Sequence, residues 1–290
     1  MRKDRPLPLG KMTAAMTPPQ KPAPADPGRP GVTLADAGRT LPPDEGMVDF
    51  GFRRVPAWQK PGYVLRHFNA IAGKYDLMNT LLSLGLHCRW KRLAVETLGL
   101  APGQRVIDVC GGTADLALLA RKAVGSGGRI VLLDVNQAML AQGRVKIGRA
   151  SAAERILPVQ GDAECLSFGT GVFDAAMVGF GIRNLTHMDR GLAEMHRVLR
   201  PGGRLMCLEF SLPVSGWFRA LYDFYSFCLM PLAGRLLAGN GDAYRHLPES
   251  IRRFPCPERI AVLLEEAGFA EVAYRRLTDG IAVIYTGVRR

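Results

Sequence analysis

The stretch RVIDVCGGTAD, residues 105–115, decides the fold of this chain. Its first six residues, RVIDVC, are typical of a buried strand, and the run DLALLARK that starts at Asp115 has the apolar spacing of a helix. Between them, Gly111 and Gly112 let the backbone turn tightly and approach a ligand closely. The stretch therefore predicts a strand, a ligand-binding loop and a helix in direct succession.

A second predicted strand, RIVLLDV, places Asp134 near its end. Asp134 follows Gly112 at close to the spacing of about 20 residues with which a carboxylate binds ribose in Rossmann-like nucleotide sites. The phosphate-binding pattern G-x-G-x-x-G is absent, because the loop carries Asp115 instead. Asp108 and Asp115 would repel a pyrophosphate and attract a sulfonium cation with an amino-acid tail. The loop therefore favours S-adenosylmethionine over NAD.

The amino-terminal part differs from the rest in composition. Of the 290 residues 20 are prolines, and more than half of these fall before residue 62, in stretches such as TPPQKPAPADPGRP. Such a segment cannot bury a core, and it lacks the apolar run of a signal peptide. We therefore predict a disordered, proline-rich extension over residues 1–55 and one domain over 56–290, with a helical, aromatic insertion at 213–256.

The formal net charge of +12 at pH 7 could indicate an anionic partner. The basic residues of the predicted domain form short groups, without a long Lys/Arg run or an RNA-binding aromatic motif. Nucleic acid is therefore not a predicted partner, whereas a solvated basic surface and attraction to anionic lipid both remain open. No apolar run reaches the roughly 18 residues of a membrane span. The expected location is cytoplasmic and peripheral, at the inner face of the cytoplasmic membrane.

The six cysteines follow neither a metal-binding nor a disulfide pattern. None belongs to a C-x-x-C pair, and most lie inside apolar runs. They are expected to be buried thiols of a reducing compartment, and no metal site is predicted. Their positions are Cys88, Cys110, Cys165, Cys207, Cys228 and Cys256.

From Gln104 onward, runs of strand length alternate with runs of helical spacing. This alternation predicts a Rossmann-like α/β fold, a mainly parallel seven-stranded sheet with helices on both faces and an antiparallel edge strand. The last two runs, EVAYRRLT and AVIYTGV, flank Gly280 and predict an antiparallel hairpin at the sheet edge. Two amino-terminal helices are expected at 63–80 and 85–98. The other predicted strands are 105–110, 129–134, 156–160, 173–178 and 203–210, with helices at 114–123, 137–149 and 188–199.

Ligands of open α/β sheets lie at the carboxyl ends of the strands, so residues that follow strands are candidates for the site. Asp162, after the third strand, could accept a hydrogen bond from an adenine amino group, but an acid here can equally cap a turn. Asp115 can likewise be an acid at a helix start. The loop GFGIRN after the fourth strand brings Gly179 and Arg183 to the same edge.

Several longer motifs resemble one family. The segments PGQRVIDVCGGTADLALLA, KYDLMN, FGIRN and YRHLPESI are together similar to the quinone C-methyltransferases of menaquinone and ubiquinone biosynthesis, over about Phe68 to Val288. The resemblance implies the class I S-adenosylmethionine-dependent methyltransferase fold, with S-adenosylmethionine as methyl donor. It also implies a polyprenylated naphthoquinol or benzoquinol substrate, demethylmenaquinol being expected first. A transient contact with the membrane surface and a homodimer are further expectations.

The resemblance assigns cofactor contacts residue by residue, with three departures from the usual pattern. Ala114 stands where the family generally has Gly, Asp162 where Asn is common, and Gly179 where Ser is frequent. We expect Ala114 to keep φ below zero. The predicted cofactor-binding residues are Gly111, Gly112, Thr113, Asp115, Asp134, Asp162, Ala163 and Gly179.

The implied chemistry is methyl transfer to a ring carbon, which requires an electron-rich ring. A phenol has a pKa near ~10, so the site needs a base or a group that stabilises phenolate. Arg183 is the first choice for this stabilisation, and the alternative is an ion pair of Arg183 with Asp115 or Asp76. Glu209 is expected to orient or cap. The predicted catalytic residues are Arg183, Asn184, Tyr75 and His246, and the predicted substrate contacts are Asn79, Tyr222 and Tyr244.

Two groups of residues have structural interpretations beside the functional ones. The aromatic segment 217–237 is either part of the core or the wall of a channel for an isoprenoid tail. Lone histidines in apolar surroundings are usually structural, so His87, His187 and His196 are left out of the predicted site. The residues that could line a channel are Trp217, Phe218, Tyr222, Tyr225, Phe227 and Met230.

Two other function classes compete with the quinol methyltransferase. One is another S-adenosylmethionine methyltransferase, acting on a sterol, phenol or amine, for which KYDLMN and FGIRN would not be required. The other is a noncatalytic scaffold subunit of a quinone-biosynthesis complex. The intact cofactor residues and the intact FGIRN loop argue against a scaffold.

Overall fold

The computed structural model describes residues 46–235 and 241–290, which contain a two-stranded hairpin and a seven-stranded sheet. The hairpin consists of β1 (Met47–Phe50) and β2 (Arg53–Pro56). The strands of the sheet are β3 (Arg105–Val109), β4 (Arg129–Asp134), β5 (Ile156–Gln160), β6 (Phe173–Gly179), β7 (Leu199–Phe210), β8 (Phe269–Leu277) and β9 (Ala282–Arg289).

The strand order in the sheet is β5-β4-β3-β6-β7-β9-β8. The pairs among β3 to β7 are all parallel, whereas β9 is antiparallel to both of its neighbours. The predicted hairpin of the last two strands is present, with β8 at the edge and β9 between β7 and β8. The mainly parallel α/β sheet expected from the alternation of strands and helices is thus confirmed.

The parallel strands are apolar on both faces because both faces are covered by helices. Successive residues of β3 point to opposite sides, so Val106 packs with one core cluster and Ile107 with the other. Both side chains are fully buried. Two layers of core therefore fix the sheet, and the strand ends carry the loops of the site.

The helices match the predicted ones closely after β3 and less closely before it. The expected helix 63–80 is broken by a 3-10 turn at Ala72–Lys74, where Gly73 is a poor helix former. A π-helical turn, Tyr225–Leu229, follows α7. The helices are α1 (Lys60–Ile71), α2 (Tyr75–Leu82), α3 (Leu86–Thr97), α4 (Asp115–Val124), α5 (Gln137–Arg149), α6 (Met188–Val198), α7 (Gly216–Phe224), α8 (Met230–Ala233), α9 (Gly241–Arg253) and α10 (Pro257–Glu266).

The hairpin β1–β2 corrects the predicted boundary of the amino-terminal extension. Residues 47–56 are paired as antiparallel strands around Gly51, whose φ of +62° suits glycine. Phe50 stacks on His246 of α9 with ring centroids 4.0 Å apart, so this part of the predicted disordered segment packs on the domain. The rest of the predicted extension, residues 1–45, lies outside the described residues.

The expectation of buried cysteines is wrong for four of the six. Cys207 is buried and Cys110 is partly buried, because each lies at or in a central strand. Cys88, Cys165, Cys228 and Cys256 are exposed.

Among the described residues, every helix is too short or too polar to cross a bilayer.

Candidate functional site

Two adjoining cavities lie at the carboxyl ends of the parallel strands. The loop cavity, of about 100 Å³, is bounded by the loops after β3, β4 and β6. The apolar cavity, of about 430 Å³, is walled by α1, α2, α7 and the π-helical turn. Both are lined by the same five residues at their junction, which are Phe68, Tyr75, Lys91, Phe180 and Asn184.

The glycine pair after β3 lets the loop lie close to the ends of β3 and β4. A side chain at Gly111 would collide with Leu132 and Asp108, and Gly112 has a φ of +54°. The N–H of Gly112 donates to Oδ2 of Asp134 over 2.9 Å. The loop after β3 is therefore in direct contact with the end of β4.

Asp134 is held rigidly at the floor of the loop cavity. Besides the bond from Gly112, its Oδ1 accepts a hydrogen bond from the N–H of Asn136 at 2.8 Å. Burial raises the pKa of Asp134, while these two N–H groups favour the ionised form. Because each carboxylate oxygen has a second acceptor site, Asp134 can still bind two hydroxyl groups.

Three non-glycine residues around the loop cavity have left-handed backbone. They are Cys110, Ala114 and Phe180, with φ of +53°, +71° and +59°. The expectation of a negative φ at Ala114 is wrong, because the turn into α4 requires the left-handed conformation that glycine supplies more easily. Such strain is concentrated at functional sites.

Asp115 belongs to a charged cluster that joins α2, α3, α4 and α5. It accepts from Lys91 at 2.6 Å and forms a short ion pair with Lys146. Lys146 also pairs with Asp76 at 2.8 Å, and Thr113 Oγ1 donates to Asp76 over 2.7 Å. Burial opposes ionisation of Asp115, but Lys91 and Lys146 outweigh it and lower its pKa to about 2.

Asp108 is fully buried beneath the loop, with Oδ2 accepting from the N–H of Ala117 at 3.0 Å. Burial raises its pKa to about 8, so the carboxyl is mostly protonated at neutral pH. Its Oδ1 has no hydrogen-bond partner within the described ranges. Since Asp108 is neutral and Asp115 is paired with two lysines, the charge repulsion invoked from the sequence against a pyrophosphate does not hold.

Arg183 lies at the wall of the apolar cavity and pairs with Glu209 at the end of β7. Its Nη1 is 2.8 Å from Oε1 of Glu209, which is fully buried. The expected alternative partners, Asp115 and Asp76, are instead bound by lysines. Arg183 Nε is buried and has no partner among the described residues.

His246 lines the apolar cavity together with His67, which the sequence analysis missed. Their ring centroids are 5.0 Å apart, and His246 is stacked on Phe50. Burial lowers the pKa of His246 to about 3, with His67 and Arg183 adding to the effect. Burial, with Arg183, also lowers the pKa of His67 to about 4. Both imidazoles are therefore neutral at neutral pH and can accept hydrogen bonds.

Most of the other predicted residues lie at the two cavities. Asn79 and Tyr222 line the apolar cavity, and burial raises the pKa of Tyr222 to about 12. Gly179 lines the loop cavity, and a side chain there would press on Leu116 at 2.8 Å. Tyr244 is in α9, but its side chain lies outside the described part of the structure.

Asp162 and Ala163 are not in the lining of either cavity. Asp162 is exposed, and its Oδ1 accepts from the N–H of Glu164 at 2.9 Å, as in a turn cap. Ala163 is buried in the core. Their assignment as cofactor contacts remains a prediction.

The sequence analysis did not single out Lys91, and it left His87 out of the site, although both residues line the apolar cavity. Lys91 is buried at the junction of the two cavities, although the surrounding HCRWKR reads as a basic helix surface. His87 lines the apolar cavity, with Nε2 3.2 Å from Thr80 Oγ1. The only available signal was their position within the segment similar to the quinone methyltransferases.

Helix α1 covers the loop cavity. Asn136 Nδ2 donates to Asn69 Oδ1 at 2.9 Å and to the carbonyl oxygen of Leu65 at 3.3 Å. Leu65 lines the loop cavity, His67 lines the apolar cavity, and Phe68 lines both. One helix therefore roofs the two cavities.

Comparisons with known proteins agree with this arrangement. The ubiE/COQ5 methyltransferase family matches residues 57–289. The ubiquinone/menaquinone biosynthesis C-methyltransferase UbiE of Pseudomonas entomophila is 44% identical over 245 residues, covering 84% of this chain and 96% of that protein. Its counterpart from Methylococcus capsulatus is also 44% identical, with 84% and 99% covered.

The fold comparison points to the same class. The crystal structure of an S-adenosylmethionine-dependent methyltransferase from Aquifex aeolicus superposes with a TM-score of 0.52 at 15% identity, covering 69% of this chain and 89% of the other. The expected Rossmann-like class I methyltransferase fold is thus confirmed. By the extent of its sequence match, the chain belongs to the ubiE/COQ5 methyltransferase family.

Proposed function

We propose that this protein transfers the methyl group of S-adenosylmethionine to a ring carbon of a polyprenylated quinol. The observation that carries the proposal is the pair of adjoining cavities. The loop cavity, which ends at Asp134, meets the larger apolar cavity at Tyr75, Phe180 and Asn184. A nucleoside cosubstrate and an apolar ring can therefore be placed side by side, as group transfer requires.

The loop cavity has the donors and acceptors for S-adenosylmethionine. Asp134 would accept hydrogen bonds from the two ribose hydroxyls, while Gly111 and Gly112 leave space for the ligand beside the backbone. Asp162 is retained as the candidate for the adenine amino group, since one of its two oxygens is bound to Glu164 N–H. The bound cosubstrate supplies an electrophilic methyl group on its sulfonium.

The apolar cavity would hold the quinol ring and the first part of its tail. Methyl transfer forms a C–C bond, breaks the C–S bond, and requires loss of a ring proton to restore aromaticity. Arg183, which lines the apolar cavity, would donate from its guanidinium to a phenolate oxygen, which favours ionisation of the ring hydroxyl. Neutral His246 would accept the proton that the ring releases, and Tyr75 and Asn184 would orient the ring at the junction.

Demethylmenaquinol is the substrate that we propose first, and the benzoquinol precursor of ubiquinone is the second. The two relatives are named for both ubiquinone and menaquinone biosynthesis. Purified protein should be assayed with S-adenosylmethionine and each reduced, short-chain demethyl quinol. The substrate class is identified by whether the naphthoquinol, the benzoquinol or both are methylated. If neither quinol is methylated, the proposal is wrong.

A calorimetric titration with S-adenosylmethionine, together with the methylation assay, addresses the competing function classes. A methyltransferase for another small molecule would bind S-adenosylmethionine in a calorimetric titration but methylate a phenol, amine or sterol in place of the quinols. A noncatalytic scaffold subunit would show no heat of cosubstrate binding. The rigidly held Asp134 favours an intact cosubstrate site over a scaffold.

A further inference from the structure

We propose that the rim of the apolar cavity is a membrane-docking surface that fits a bilayer with anionic headgroups. This proposal rests on the proposed function, because the bilayer is the source of a polyprenylated substrate. The rim is named here the mouth surface and consists of Leu84, Leu86, Trp217, Leu221, Phe224 and Leu229.

The mouth surface combines two properties that rarely coincide. Five of its members, all except Trp217, line the apolar cavity and are also exposed. Leu84 is 87% exposed and Leu221 is 54% exposed. Trp217 is 75% exposed and contacts the cavity-lining Phe218, with ring centroids 5.4 Å apart. Apolar surface therefore runs without interruption from the cavity wall to the outside.

Helix α7 has one broad apolar face. Phe218 and Tyr222 pack toward the core, whereas Trp217, Leu221 and Phe224 follow the i, i+4, i+7 spacing of an exposed stripe. The polar residues of this helix, Arg219 and Asp223, lie on its other side. The exposed stripe is the arrangement expected for a helix that lies in a membrane interface.

The end of α2 is fixed next to the same helix. The hydroxyl of Tyr225, which follows α7 directly, donates to the carbonyl oxygen of Leu82 over 2.5 Å. Two residues later, Leu84 has a φ of +49°, a left-handed conformation that is unfavourable for leucine. The backbone therefore holds an apolar side chain outward under strain, as is typical of functional segments.

The charges around the mouth surface favour an anionic lipid surface. Arg89 and Arg92 of α3 are exposed one and two turns beyond Leu86, and Arg219 is exposed between Trp217 and Leu221. The acid of α7, Asp223, is paired with Arg252. With a net charge of +12, the chain is attracted to anionic headgroups while the apolar residues enter the interface.

A bilayer suits this surface better than a second copy of the chain. A symmetric dimer formed through the mouth surface would close the cavity to the substrate. A bilayer seated on it would instead connect the hydrocarbon phase to the cavity, so that an isoprenoid tail could remain in lipid while the ring enters. The dimer is an alternative outcome of the test below.

The test is sedimentation of the full chain with phosphatidylcholine vesicles and with vesicles that also contain phosphatidylglycerol. We expect binding to the mixed vesicles, lowered about tenfold or more by Trp217→Glu and by Leu84→Glu, because each replaces an inserted apolar group by an anion. The matched control is Leu157→Glu in β5, where an exposed leucine, 61% accessible, lies at the far edge of the sheet. The control should bind as the wild type does.

A fluorescence measurement covers the case in which the charged variants fold poorly. Trp90 is buried, so in a Trp58→Phe background the lipid-sensitive emission comes from Trp217. Quenching by brominated lipid is expected. The proposal would be overturned if the wild type did not bind the mixed vesicles, or if Leu157→Glu lost as much vesicle binding as the mouth-surface variants. It would also be overturned if the chain formed a dimer that Trp217→Glu dissociates without changing vesicle binding. Because no quinol or cosubstrate is present, these results are independent of the methylation assay.

Discussion

Asp134 is the residue on which the cosubstrate assignment depends. Changing Asp134→Ala removes the acceptors for the ribose hydroxyls, and hydrogen bonds to a charged group contribute roughly 1.5–3 kcal/mol each. We expect calorimetry to show S-adenosylmethionine affinity lowered about 100-fold or more. Asp189→Ala, at the exposed start of α6, is the control and should bind normally. Wild-type affinity in Asp134→Ala would refute the site.

Arg183 is the residue on which the proposed chemical step depends, but its ion pair with Glu209 complicates the experiment. Arg183→Met alone would leave Glu209 buried without its cation, which destabilises a fold by roughly 3–5 kcal/mol. The informative variant is therefore Arg183→Met combined with Glu209→Gln, which keeps an acceptor for the backbone N–H groups. We expect turnover lowered about 100-fold or more at normal cosubstrate affinity.

Arg183→Lys should recover only part of the turnover, since a point charge cannot bind two oxygens in the fork geometry of a guanidinium. Turnover on a reduced short-chain demethylmenaquinol, measured across pH at saturating cosubstrate, distinguishes these cases. If the double variant keeps near-normal turnover and pH dependence, Arg183 is only a structural partner of Glu209.

Asp108 makes the stability of the fold depend on pH. Its pKa is raised from 3.8 to about 8, so between these values the folded state binds more protons than the unfolded state. The contribution of Asp108 is therefore present below its unfolded pKa and is lost as pH rises through its folded pKa. Relative to Asp108→Asn, the wild type should lose stability from about pH 4 to pH 8. If the urea midpoints of the wild type and of Asp108→Asn changed in parallel over this pH range, the assignment of a buried, protonated carboxyl would be wrong.

At the scale of elements, the hairpin β1–β2 positions α9. Phe50 stacks on His246, and the N–H of Phe52 donates to Glu249 at 3.3 Å. Deleting residues 1–45 should leave the melting temperature within a few degrees, as expected for a proline-rich terminus. Deleting 1–56 should lower both the melting temperature and quinol turnover, because His246 loses its stacking partner. Equal behaviour of the two truncations would show that the hairpin has no such role.

The elements themselves were predictable where local pattern dominates. Strands β4 and β5 and helix α5 begin and end at the predicted residues, because their apolar spacing and the turn residues that flank them are clear in the sequence. Strand β7 starts at Leu199, four residues earlier than predicted. The RPGG segment, which resembles a turn, lies within the strand, and the pairing of β7 with β6 shifts register there. Local signals could not reveal that irregularity.

At the scale of the whole molecule, the strand-end residues could be predicted but their partners could not. The contact between Gly112 and Asp134 follows from the order of the strands. The pairing of Arg183 with Glu209, and of Asp115 with Lys91 and Lys146, depends on which helices and strands become neighbours. Lys91 and His67 look like surface residues of amphipathic helices, and only tertiary packing places them at the cavities.

The roof formed by α1 has a kinetic consequence for the whole reaction cycle. Because Phe68 faces both cavities and Asn136 ties α1 to the loop after β4, we expect the helix to move when the nucleoside product leaves. A quinol analogue in the apolar cavity should hold α1 down. We expect stopped-flow measurements to show slower dissociation of S-adenosylhomocysteine when the analogue is bound, and this slowing should disappear in Phe68→Ala. The two substrates would then follow a compulsory order, with the nucleoside first to arrive and last to depart.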